Sequence, residues 1–257
     1  MCLIAFAIAR NRRYPLVLAA NRDEFYRRPT LAMDWWQTDQ GQALLAGRDQ
    51  QSGGTWLAVD RSGRVAAVTN VREGSPEPGR VSRGELPLRA LSETPAALKQ
   101  QMVNEPERYA GFNLVSVDSA GGVYLSNRDA HRGRALHRGS YGLSNHLLQS
   151  PWPKLLRLRH ALDEEIDQAS ANTEAFHEAL LAPLMDRTPA PDDHLPDTGV
   201  GLATERFLSS PFIVGDDYGT RATTIVTVSA DGEVRVTEQS WGPGGVDAGR
   251  RTFHWQR

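Results

Sequence analysis

Met1-Cys2-Leu3-Ile4-Ala5-Phe6-Ala7-Ile8-Ala9 opens the chain and joins a candidate nucleophile directly to an apolar strand. Cys2 is the single cysteine among 257 residues. Removal of Met1 would leave one residue carrying both a thiol and a free α-amine, a nucleophile with a base attached. A free α-amine titrates near ~8, so it can take the thiol proton around neutral pH. The apolar run 3–9 reads as a strand that holds this terminus in a sheet. A lone cysteine is a weak motif. The competing reading is a small residue that is packed or solvated, and the rest of the chain has to decide between them.

The next segments extend the strand reading. Residues 2–9 and 15–20 are apolar runs joined by the polar stretch 10–14, which predicts a hairpin. Residues 55–59 and 64–69 flank Asp60-Arg61-Ser62-Gly63, a second hairpin, and 43–46 is a short strand between them. Ser82-Arg83-Gly84-Glu85 has the form of a capping box leading into a helix at 86–91. Thr94-Pro95 starts another helix through about residue 103. Strands return at 112–117 and 122–127, with a third near 135–143. Helical spacing marks 152–166 and 173–181. Residues 183–201, rich in Pro and Asp, read as a long flexible loop. The last hairpin is 223–229 with 233–239, and 242–249 reads as a loose tail. Strands, helices, strands, helices and strands in that order predict an α+β fold, with mainly antiparallel sheets stacked between helical layers.

Composition narrows the function classes. The length suits one domain spanning 1–257. With 40% hydrophobic and 23% charged residues, the chain has a soluble, globular composition. A formal net charge of -2 gives no positive field for nucleic acid. One cysteine rules out an intramolecular disulfide and any Cys-rich zinc site. The seven histidines show no metal-ligand spacing. The arginines at 10, 12 and 13 follow the apolar run instead of preceding it, the reverse of a signal peptide. That run is also too short to span a bilayer, so a cytoplasmic protein without integral membrane association is expected. A reducing cytosol would keep the thiol usable.

Several polar groups lie near strand ends. Asn21-Arg22-Asp23-Glu24 follows the second strand, and if that strand continues, Asn21 and Asp23 share one face and Arg22 and Glu24 the other. A carboxylate on the Cys2 face can anchor an α-ammonium, and Arg22 can instead brace the loop. The alternative is a solvated charged turn. Thr69-Asn70 and Ser144-Asn145 each place a neutral amide donor where an oxyanion hole needs one, or else are turn residues. Arg221 precedes a long apolar strand, and it either tunes a thiol or clamps a carboxylate, or forms a structural ion pair. Gly53-Gly54-Thr55-Trp56 leads into a strand with a large aromatic that can line an apolar groove or pack in the core. His146 follows Ser144-Asn145 and is a surface, supporting or ligand-contacting residue.

Taken together, these blocks resemble the NRDE family, relatives of transport and Golgi organization protein 2. The resemblance rests on Met1-Cys2, Ala19-Ala20-Asn21-Arg22-Asp23-Glu24-Phe25-Tyr26, Arg28-Pro29, Gly53-Gly54-Thr55-Trp56-Leu57 and Ala67-Val68-Thr69-Asn70. It continues through Ser82-Arg83-Gly84-Glu85, Gly142-Leu143-Ser144-Asn145, Ser150-Pro151-Trp152-Pro153-Lys154, Leu208-Ser209-Ser210 and Tyr218-Gly219-Thr220-Arg221. It implies an N-terminal nucleophile (Ntn) hydrolase-like αββα sandwich, similar in layout to penicillin V acylases and bile salt hydrolases. By position, the resemblance implies Cys2 as nucleophile, Asp23 holding the amine, Asn70 and Asn145 at the oxyanion, and Arg221 tuning charge. Asn21, Arg22, Glu24, Trp56 and His146 are the implied ligand contacts.

There are two departures. Arg22 stands next to Asp23, whereas those hydrolases place the Arg a few residues earlier, facing the same site. His146 stands where a small residue is expected. The expected activity is hydrolysis of a non-peptide C–N amide bond in a small-molecule substrate, with no cofactor required. The alternative is a non-catalytic haem or acyl-CoA and lipid trafficking protein using the same pocket, with Arg22 and Arg221 at its rim and Cys2 or His146 as ligands to haem iron. Oligomeric state is not legible.

Overall fold

The computed structural model describes residues 2–170 and 172–257. The removal of Met1 therefore concerns a residue outside the described ones. The chain runs β1 (Cys2–Ile8), β2 (Leu16–Phe25), β3 (Thr30–Gln37), β4 (Ala43–Asp49), β5 (Leu57–Asp60) and β6 (Val65–Asn70). Helices α1 (Leu86–Ser92) and α2 (Pro95–Asn104) follow, then β7 (Phe112–Val117), β8 (Gly122–Ser126), β9 (Gly133–Leu136) and β10 (Gly139–Leu143). After α3 (Pro153–Asp167), α4 (Thr173–Leu184) and α5 (Leu202–Phe207), the chain ends in β11 (Tyr218–Val228), β12 (Glu233–Gly242) and β13 (Val246–Gln256).

The strands form a six-stranded sheet in the order β10-β1-β2-β11-β12-β13 and a seven-stranded sheet running β3 to β9 in sequence. Every pairing is antiparallel. Alternation along β1 explains the layering. Ile4, Phe6 and Ile8 join Leu16, Leu18 and Ala20 of β2 in the core between the sheets. Leu3, Ala5 and Ala7 face outward onto α3 and α4. A one-residue slip would exchange large inner side chains for small outer ones, so the register is firmly set. The small outer residues allow a close helix. At Gly142 of β10 an added Cβ would stand 2.8 Å from Leu155 of α3. On the other sheet, α1 and α2 cover a third cluster built on Leu44, Ala58, Ala66 and Leu114. The architecture is the predicted four-layer αββα sandwich.

Three details differ from expectation. The strand expected near 135–143 is two strands, β9 and β10, which belong to different sheets. The expected loose tail continues into β13, which pairs with β12 along the sheet edge. Ser82 caps a 3-10 turn at Arg83–Glu85, its Oγ accepting from Gly84 N. Glu85 does not close a capping box. Its carboxylate accepts from Arg108 and Tyr109 instead.

Candidate active site

The strand β2 does not stop before the polar motif. It runs through Asn21-Arg22-Asp23-Glu24, and Arg22 lies directly opposite Cys2 on β1. Directly opposed residues in an antiparallel pair share a face. Cys2 and Arg22 therefore both sit at the inter-sheet end of the sandwich, and Asn21 and Asp23 face the helices.

Cys2 contributes to the wall of a cavity of about 660 Å³ together with Arg22, Asp23, Glu24, Trp56 and Asn70. Cys2 is 6% exposed. Its carbonyl accepts a hydrogen bond from Ser144 Oγ at 3.2 Å, which pins the backbone at the start of β1. Burial pushes the thiol up to about 11, the carboxylates of Asp23 and Glu24 add to the rise, and the terminal ammonium and Arg22 oppose it. In the form that keeps Met1 the thiol is thus protonated at neutral pH. Iodoacetamide labelling of that form is expected to accelerate about tenfold per pH unit until the pH approaches 11. A plateau below pH 9 would contradict this.

The polar neighbours have separate tasks. Asp23 is fully buried and accepts from Thr220 Oγ1 at 2.8 Å. Asn21 lies outside the cavity wall. Its Nδ2 donates to Leu184 O (2.7 Å) and Pro211 O (2.9 Å), and its Oδ1 accepts from Thr223, tying β2 to the end of α4. Glu24 lies 3.7 Å from Arg22 and 4.0 Å from Arg28, in a chain of charges along the cavity. Lys154, at the start of α3, is buried with its Nζ donating to Leu208 O. Burial brings its pKa down to about 8, against the pull of Asp23.

The two asparagines do not act alike. Asn145 Nδ2 donates to Asn70 Oδ1 at 2.8 Å and to Asn70 O at 3.3 Å. Asn145 is fully buried and is not part of the cavity wall. Asn70 is in that wall, and its Nδ2 makes one long bond, to Val71 O at 3.4 Å. Asn145 therefore orients the Asn70 amide, and of the two it is Asn70 that reaches the cavity. Behind them, Thr69 Oγ1 donates to Ser144 O, and Asn113 Nδ2 donates to Thr69 Oγ1 and His146 O, locking the 144–146 segment onto the seven-stranded sheet.

Two expected contacts lie elsewhere. Arg221 is the extra residue of a bulge between Thr220 and Ala222. Its guanidinium donates to Phe25 O (3.2 Å) and to Arg28 O, bracing the turn after β2. It neither lines the cavity nor faces the thiol. His146 is exposed, with Nδ1 against Ser150 Oγ at 2.7 Å and its ring tilted on Trp152.

The sequence reading missed Arg83, Arg28 and the aromatic rim. Arg83 enters the wall because its turn docks on Gly54, with Thr55 N donating to Gly84 O at 2.9 Å. A Cβ on Gly54 would come within 2.4 Å of that backbone. The two motifs Gly53-Gly54-Thr55-Trp56 and Ser82-Arg83-Gly84-Glu85 are thus one tertiary contact. Phe25, Phe207 and Tyr218 stand together at the mouth, with ring centroids 5.1 Å apart for Phe25–Tyr218 and 6.3 Å for Phe207–Tyr218.

Two antiparallel sheets between helices, with a cysteine at the start of the inner strand, define an Ntn-hydrolase-like fold. A likeness to a solved structure agrees with this. The C2A mutant of conjugated bile acid hydrolase from Clostridium perfringens superposes with a TM-score of 0.51 at 9% identity, over 100% of this chain and 97% of that one. The chain belongs to the Transport and Golgi organisation 2 family, whose model matches residues 1–243. The mouse homolog of Transport and Golgi organization 2 is 33% identical over 93% of each chain. The human one is 35% identical over the same shares. Among the described residues no helix is long and apolar enough to cross a membrane.

Proposed function

We propose that this protein is an N-terminal-cysteine amidohydrolase, acting on a non-peptide amide once Met1 has been removed. The observation that carries the reading is the position of Cys2, at the end of β1 in the cavity wall and opposite Arg22. In this reaction the Cys2 α-amine takes the thiol proton and the sulfur attacks the amide carbonyl. Asn70 donates to the developing oxyanion, with Asn145 holding its amide in place. The α-ammonium then gives its proton to the leaving amine, the C–N bond breaks, and a thioester forms. Water attacks the thioester, the acid departs, and the thiol is restored. Asp23, buried behind the strand end, holds the ammonium. The fold neighbour is named as a conjugated bile acid hydrolase, which supports a hydrolase reading of this architecture. Screening an amide library with the Met1-free protein tests the reading. Asn70→Ala is expected to lower kcat on any substrate found by about 10²-fold or more, the usual cost of an oxyanion donor. An unchanged kcat would remove Asn70 from the mechanism.

A second reading is ligand binding without turnover, with haem or an acyl-CoA-type molecule in the same cavity. The observation in its favour is an apolar aromatic rim beside guanidinium groups. Because His146 and Arg221 lie outside the wall, iron would be left to Cys2, and anionic groups to the arginines that do line it. Titration with equimolar haem tests this version, and an unshifted Soret band counts against it.

A further inference from the structure

We propose that the cavity takes a ligand carrying an anionic group, a carboxylate or its sulfonate or phosphate equivalent, and that Arg83 holds that group. That the ligand is an amide rests on the hydrolase reading. That it is anionic does not.

Three arginines line the cavity, and two are already matched by carboxylates. Arg22 is 3.7 Å from Glu24. Arg28 makes a two-pronged contact with Asp49, at 3.2 and 2.7 Å. Arg83 has no carboxylate within ion-pair distance among the described residues. Its hydrogen bond is from Nη1 to Gly111 O, at 2.9 Å. A guanidinium has five N–H donors in a fixed fork, so most of its capacity is unused at a residue that lines the cavity. Burial lowers its pKa, and the carboxylates of Glu24 and Glu73 oppose the shift without pairing with it. The charge is thus partly desolvated without being neutralised, which is the condition in which a guanidinium binds a carboxylate strongly and by two bonds.

Bracing Gly111 alone would need a single N–H. The backbone contact between Gly54 and Gly84 holds the turn that carries Arg83 independently of that bond. The same wall carries the aromatic group Phe25, Phe207 and Tyr218. A ligand lying across Cys2 would put its apolar part there and its anionic group on Arg83. The discrimination is then charge against no charge at constant size.

The test compares alkylation of Cys2 by iodoacetate and by iodoacetamide, which are alike in size and differ in charge. The ratio of the two rates cancels the thiolate fraction. Arg83→Leu is expected to lower the iodoacetate-to-iodoacetamide ratio about tenfold, as loss of a charge-assisted anion contact predicts. Arg83→Lys should keep most of the ratio. Arg80→Leu removes the same charge from an exposed pair with Glu107 and should leave the ratio as it is. Should Arg83→Leu not fold, Arg83→Gln carries the same expectation while keeping one donor for Gly111. A ratio unchanged in Arg83→Leu and Arg83→Gln, or an equal fall in Arg80→Leu, would overturn the proposal. Alkylation requires no turnover. An inert amide library with the charge selectivity intact would refute the hydrolase reading alone.

Discussion

Replacing Cys2 with alanine is expected to abolish amide turnover by the Met1-free protein, by at least about 10³-fold in kcat/KM. The size follows from the chemistry. No other nucleophilic thiol exists in the chain, and the oxyanion donor cannot itself form the thioester. The fold should persist, because Cys2 sits at the end of β1, beyond the inner cluster that begins at Ile4. Its unfolding midpoint should therefore stay close to that of the parent. Kinetics on a substrate identified by screening, paired with urea unfolding, separates the two effects. Retained turnover in Cys2→Ala would mean that the reaction is carried elsewhere.

The second large effect concerns Arg72 and Glu205. They form a buried ion pair with side chains 4% and 3% exposed, and Arg72 also lies 4.6 Å over the Trp152 ring. Glu205 belongs to α5, whose Thr204 and Phe207 contribute to the cavity wall. Arg72 follows β6 two residues after Asn70. The pair therefore pins one wall of the cavity to the strand end that carries Asn70. Removing one partner strands the other charge in a low-dielectric site, at a cost of about 3–5 kcal/mol. Arg72→Met and Glu205→Gln should each show this loss in urea unfolding. The double variant Arg72→Met/Glu205→Leu should recover most of it, since an apolar pair of similar volume has no desolvation to offset. Single variants within about 1 kcal/mol of the parent would place the pair among weak surface-type bridges.

What the chain disclosed about itself follows from these geometries. The β1–β2 hairpin was legible because both strands are apolar and short-linked, and the polar motif at the end of β2 was legible as a site because it must fall beside Cys2. Two edge strands were not. The segment of β3 carries Asp34 and Gln37, is partly exposed on both faces, and has no clean alternation. The segment of β13 is exposed along almost its whole length. Its pairing with β12 is a backbone matter that side-chain pattern does not record.

Within the site, Cys2, Arg22, Asp23, Glu24, Trp56 and Asn70 were readable, since each sits on a strand, or directly before one, whose phase could be counted. Arg221 was misplaced because one bulged residue turns it toward the 25–30 turn, and nothing in Tyr218-Gly219-Thr220-Arg221 marks the bulge. Asn145 was assigned to the oxyanion, but its donors are spent on Asn70. Arg83 was hidden in a cap signal. The clue was the pair of glycines at 54 and 84, which only a tertiary contact makes meaningful.

The central claim is that Cys2, bearing its own α-amine, is the nucleophile. Burial raises the thiol to about 11 while the terminal ammonium one residue away already pulls it down. Loss of Met1 moves that charge onto the nucleophile's own residue, where its effect is greatest. The most direct measurement is the pH profile of iodoacetamide labelling on two preparations, with and without Met1, each verified by intact mass. The Met1-free thiol should titrate well below ~8.5, and the Met1-bearing thiol should stay near 11. Two superimposed profiles would contradict it, because the α-amine would then have no part in activating the thiol.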